Sequence, residues 1–138
     1  MSLNFMAIEK IFKNLILFDF AILILIVISS MYQPNEIIQI NENLQKGLLS
    51  EFPNFSRTLS LILFFLYLLS LNLLYRFISY GKHLYLSLII AGLLLNYLSG
   101  SVLYTSFGSV MDQIGGLISG AILILLYYSP IKENFQKI

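Results

Sequence analysis

Cysteine and tryptophan are absent, histidine occurs once, proline three times, and only 11% of the residues are charged. Without cysteine there can be no disulfide, no thiolate nucleophile and no cysteine-held metal. The single histidine, His83, has no carboxylate close to it in sequence and no recognisable serine partner, which leaves neither a metal site nor a hydrolase pair. Net charge is +1, and no polybasic cluster is present. That removes the electrostatic case for nucleic acid and for anionic lipid headgroups. Every cluster of glycines lies in or beside an apolar stretch, so no loop is available to cradle a phosphate. The chain therefore reads as a non-enzyme, with no catalytic residue, metal or cofactor assigned.

The shortage of charge also excludes an ordinary soluble domain, in which roughly a quarter of the residues are charged. What is present is apolar: 58% of 138 residues are hydrophobic, and the mean hydropathy is +0.84. Crossing about 30 Å of hydrocarbon takes about 20 apolar residues in a helix. Four stretches meet that length, over residues 12–32, 58–80, 84–104 and 110–128. The first imitates a signal peptide, with Lys10 and Lys13 before an apolar core from Ala21 to Ile28 and the small Ser29 and Ser30. Its full length from Phe12, and Asp19 within it, argue for a retained span. The expected fold is all-α: an integral membrane four-helix bundle, up-down-up-down, in one domain. The competing topology is a re-entrant loop over residues 99–120, which would need shielding by protein or water.

Gly81 suits the left-handed position that closes a helix, so the turn between spans two and three is expected there. Ser109 and Asp112 give span four a serine cap and an acid in its first turn, and Pro130 stops it. Residues 35–50 join the first two spans. Ile37, Ile40, Leu44 and Leu48 fall at helical spacing there, with Glu36, Asn41, Glu42 and Asn43 opposite. That pattern predicts an amphipathic helix, lying on the membrane surface, packed on the bundle's end or held by a partner.

Orientation follows from Lys and Arg. Lys10, Lys13, Arg76, Lys82, Lys132 and Lys137 fall on the side of the termini, Lys46 and Arg57 on the other. The bias places both termini in the cytoplasm of a bacterial inner membrane. Tyr32 and Tyr104 mark one boundary, and Tyr75, Tyr80, Tyr85, Tyr127 and Tyr128 the other.

Asp19 is the leading candidate for function. It stands seven residues beyond Phe12, roughly 10 Å into the membrane at 1.5 Å per residue. An acid near a span centre costs about 2.5–3.5 kcal/mol to insert, so it needs partners or a use. Counting from the same end places Asn72 at its depth, which suggests a small polar pocket. Asn96 lies nearer mid-membrane, level with Tyr67, and a hydrogen bond between those two is expected. Gly92, Asn96 and Gly100 repeat every four residues on span three; Asp112, Gly116 and Gly120 do so on span four, beside Gly115 and Ser119. Small residues at that spacing let helices approach closely, within one chain or between copies. The sequence thus implies a small non-enzymatic multi-pass protein acting through helix–helix or partner contacts: an accessory subunit, an immunity factor or a self-associating unit. Its partners would be the lipid bilayer and either itself or another membrane protein. The rival is a small oligomeric transporter or channel built on Asp19, Asn72, Asn96 and Tyr67.

Overall fold

The computed structural model describes residues 2–44 and 47–136. Lys46 and Lys137, both counted in the charge bias, lie outside the described residues. Five α-helices follow in order: α1 (Ser2–Met31), α2 (Asn35–Leu44), α3 (Pro53–Tyr75), α4 (Ser79–Ser99) and α5 (Ser106–Tyr128). Short 3-10 segments precede α3 (Leu48–Glu51) and follow α5 (Pro130–Gln136). Among the described residues, α1, α3, α4 and α5 are long and apolar enough to cross a membrane. The chain is an all-α four-helix bundle and a small multi-pass membrane protein. The unbroken α5 leaves no re-entrant loop.

The Phe12 ring lies 5.8 Å from that of Phe77 and 6.1 Å from that of Phe135. Since Phe77 sits in the α3–α4 turn and Phe135 near the C-terminus, both termini and this turn share one end. The helices therefore run up, down, up and down. They associate as two pairs, α1 with α5 and α3 with α4, joined mainly where α1 meets α3.

Several boundaries differ from those expected. The second and third spans each sit five residues earlier, because the turn forms at Phe77 rather than at Gly81. Phe77 adopts the left-handed conformation, with φ 58°. Its N–H bonds to the Leu74 carbonyl at 3.0 Å, and the Ile78 N–H to the Leu73 carbonyl at 2.9 Å. This is the usual glycine-type closure of a helix, made here by phenylalanine at a cost of about 1–2 kcal/mol. The ring stacks on Phe12 and meets Phe135 edge-on, and those contacts hold the strained residue in place. Gly81 instead lies buried in the first turn of α4. A Cβ there would stand 2.9 Å from the Cβ of Leu73 and 3.0 Å from the Leu74 nitrogen, so Gly81 lets α3 and α4 close tightly at this end. The last span starts at Ser106, not near Ser109. Thr105 caps it, its hydroxyl accepting the Gly108 N–H at 3.0 Å.

Packing is uneven along the bundle. The buried apolar side chains run from Phe12 to Ile22 on α1, through Leu71, Leu74, Tyr85 and Leu88, to Ile118, Ile122 and Leu126 on α5. Ile131 and Phe135 complete the plug from the C-terminal segment. Ile22, Leu88 and Ile118 stand toward the middle of the bundle, and the others lie nearer the termini. Of the helix pairs, α4 and α5 barely touch.

At the far end α2 is tied down by Asn41. Its amide donates to the Leu103 carbonyl at 3.0 Å and accepts the Leu103 N–H at 2.6 Å. Asn41, assigned by pattern to the outward polar face, is in fact the buried residue of α2, whereas Ile38, Ile40 and Leu44 are exposed. Asn41→Ala is expected to free α2 while leaving the spans intact. Two hydrogen bonds of this kind are worth about 1–2 kcal/mol in total. Faster amide exchange confined to α2 and residues 101–105 would check it; unchanged exchange would show that the clamp holds nothing.

Candidate functional site

Asp19 is only 3% exposed and lies at the junction of all four spans. The Tyr67 hydroxyl donates to its Oδ2 at 2.6 Å, and the Tyr85 hydroxyl to the same oxygen at 3.2 Å. Ser119 Oγ donates to Oδ1 at 3.5 Å. Each partner comes from a different helix: α3, α4 and α5. Each hydroxyl has one hydrogen, so with all three given to Asp19 the 3.4 Å contacts of Tyr67 with Tyr85 and Ser119 carry no hydrogen of their own. The three hydroxyls together supply three donors to one carboxylate. The tightest bond falls in the range of charge-assisted O–H···O⁻ pairs, about 2.5–2.7 Å. Among the described residues no buried side-chain oxygen or nitrogen lacks a partner.

Two of these partners depart from the sequence expectation. Tyr85, placed at the membrane boundary by its distance from the expected helix start, is fully buried. With α4 beginning at Ser79, it stands six residues into the helix, deep enough for its hydroxyl to reach Asp19. Ser119 was visible only as one small residue in a glycine row. Asn72 does not join the cluster: it is an exposed residue of α3, at the right height on the wrong face. Nor does Asn96 bond to Tyr67, whose hydroxyl is committed to Asp19. Tyr97, beside Asn96, is 84% exposed and two residues from the end of α4.

Above Asp19, toward the end away from the termini, lies a cavity of about 570 Å³. All four spans line it. Its walls include Ile22, Ile26, Leu63, Phe64, Leu88 and Leu123, and its polar groups are Asp19, Tyr67, Ser119, Ser60, Asn96 and Asp112. Gly92, Gly115, Gly116 and Gly120 also line it. A Cβ added at Gly92, Gly116 or Gly120 would meet nothing within 4 Å. Those glycines therefore do not glue α4 to α5 within the chain. They form the walls of an open seam. The close approach of α1 to α5 is made by Gly115 instead, where an added Cβ would stand 3.4 Å from Ile22 Cγ2. Gly100 lies outside the cavity, ending α4 with φ 88°.

A second cavity at the same end shares Ser60 and Asn96 with the first and adds Glu42, Arg57 and Ser99. Nearby, burial and then the Asp112 carboxylate push the Tyr104 phenol up. The site is thus approached from the far end and sealed on the other by the aromatic plug of Phe12, Phe77 and Phe135. No protein-family model, curated protein or solved structure matches the chain.

Proposed function

We propose that this protein is not an enzyme and works by contact, receiving a membrane helix of a partner along the seam between α4 and α5. The observation that carries this reading is the open seam itself, with Gly92 on one wall and Gly116 and Gly120 on the other. In lipid, helices associate chiefly by close packing, and rows of small residues provide the surface for it. Leu93 and Leu117 flank the seam and are 66% and 76% exposed. The lysine and arginine distribution supports a bacterial inner membrane with both termini cytoplasmic. The exposed Ile38, Ile40 and Leu44 support α2 lying on the outer surface.

The cysteine-free chain allows a clean test. Leu117→Cys, labelled in native membranes with a benzophenone maleimide and irradiated, is expected to give one adduct of discrete mass. Phe65→Cys, on the outer face of α3, is expected to give none. An added 15.8 kDa would identify a second copy, and any other discrete mass a different partner. Lipid adducts alone at both positions would refute the reading.

One observation favours a second reading, a small oligomeric transporter or channel. The buried Asp19 stands at the floor of a cavity, and acids inside membranes often mark ion or proton paths. Flux into liposomes that is lost in Asp19→Asn would support it; equal flux would end it.

A further inference from the structure

We infer that the cavity above Asp19 is a binding site for a small organic cation with an apolar body. The inference goes beyond the contact reading and does not depend on what covers the seam.

The first argument is charge. Two acids line the cavity, Asp19 at its floor and Asp112 toward its mouth, and no lysine, arginine or histidine lines it with them. Among the described residues, the basic residue of that end is Arg57, which lines the neighbouring cavity together with Glu42. Among the described residues the only ion pair is Lys13 with Glu9, near the N-terminus. With both carboxylates ionised the field inside the cavity is negative, and low-dielectric walls strengthen it.

The second argument is the shape of the carboxylate's bonding. Both tyrosines are spent on Oδ2, while Oδ1 has only the 3.5 Å contact from Ser119, at the limit of hydrogen bonding. Oδ1 thus keeps acceptor capacity on the side of Ser119, which itself lines the cavity.

The third argument separates an organic cation from an inorganic one. Asp112 lies seven residues from Ser119 on α5, which sets the two acids about 10 Å apart along the helix. Among the described residues no third acid joins either of them, and a metal ion needs several oxygens converging on one point. The remaining walls are aliphatic, with Phe64 and Tyr67 adding aromatic rings. Such walls repel a hydrated ion but suit alkyl or aryl groups, and aromatic rings attract an ammonium. The volume falls within the range of small-molecule sites, about 300–1,000 Å³.

The test uses the whole chain in lipid nanodiscs and titration calorimetry with benzyltrimethylammonium. Neopentylbenzene, the same shape with carbon in place of nitrogen, is the competitor. Saturable one-to-one binding is expected, undisturbed by the isostere, and weakened about tenfold or more by Asp19→Asn. Asp112→Asn alters an exposed side chain and is expected to weaken binding several-fold with an unchanged melting temperature. It carries the charge test if Asp19→Asn does not elute as folded protein. Absence of saturable binding, equal displacement by the isostere, or wild-type affinity in the folded acid variants would overturn the proposal.

Discussion

Gly81→Leu is expected to leave no monodisperse protein after detergent extraction, and Gly81→Ala to lower the melting temperature clearly. The first added carbon already collides with the Leu73 Cβ at 2.9 Å and with the Leu74 backbone at 3.0 Å. A backbone atom cannot swing aside as a side-chain end can, so α4 must move away from α3. Overpacking of this kind costs about 1–3 kcal/mol for small additions. Leucine adds three further carbons in the same space. The displacement would also pull on Phe77 and Ile78, which join the two helices and place the aromatic plug. Gly92→Ala and Gly116→Ala provide the contrast. Nothing lies within 4 Å of a Cβ at either position. Each should be neutral or stabilising, by up to about 1 kcal/mol, from helix propensity alone. If a partner helix occupies the seam, Gly116→Ala should weaken cross-linking from Leu117→Cys without lowering stability. Equal melting temperatures for Gly81→Ala and Gly92→Ala would show that the α3–α4 closure is not as tight as described.

Gly81 also shows what can and cannot be read from the chain. The existence and number of the spans follow from apolar length, because the bilayer sets a length scale that the sequence must meet. The position of the turn does not follow. Left-handed closure favours glycine, and Gly81 stands at a plausible place. Phe77 takes that conformation instead, because its ring finds Phe12 sixty-five residues before it and Phe135 fifty-eight after it. Tertiary contacts of that separation have no local signature. The same five-residue displacement concealed Tyr85 as a boundary residue. Asp19 was legible because a lone acid in an apolar span is costly wherever it faces. Its partners were not. Depth can be counted along a helix, but the face presented cannot. Asn72 is five residues from Tyr67, about 140° around α3 at 100° per residue, so a shared depth did not bring it to Asp19. The glycine rows were legible as small surfaces, and only the open space beside them shows that they line a cavity rather than close a contact.

Substituting Asp19 by leucine is expected to destabilise the bundle by about 2–4 kcal/mol, whereas Asp19→Asn should stay within about 1 kcal/mol of the native chain. The difference lies in the hydroxyls. Tyr85 is fully buried, and Tyr67 and Ser119 are largely so. Leucine takes away the acceptor they share. Tyr67 and Tyr85, 3.4 Å apart, could then bond to each other, but three donors would remain for two weak contacts. An asparagine keeps one acceptor oxygen for the tyrosines, and its amide can donate to Ser119 Oγ. Removing the hydroxyls separately tests this accounting. Tyr67→Phe deletes the 2.6 Å bond and the link to both other hydroxyls, so it should cost more than Ser119→Ala, which deletes only contacts of 3.4 and 3.5 Å. Single interhelical hydrogen bonds in membranes average about 0.6 kcal/mol and reach about 1.7. The Tyr67→Phe loss should lie near the upper figure. In the Asp19→Leu background, the same Tyr67→Phe change should cost less or even stabilise, since it removes a hydroxyl left without an adequate acceptor. Guanidinium or thermal melts of the native chain, Asp19→Leu, Tyr67→Phe and the double variant in one detergent would close the cycle. Additive losses would mean that the cluster is a set of incidental neighbours, whereas strong coupling would make Asp19 the acceptor that ties α3, α4 and α5 to α1.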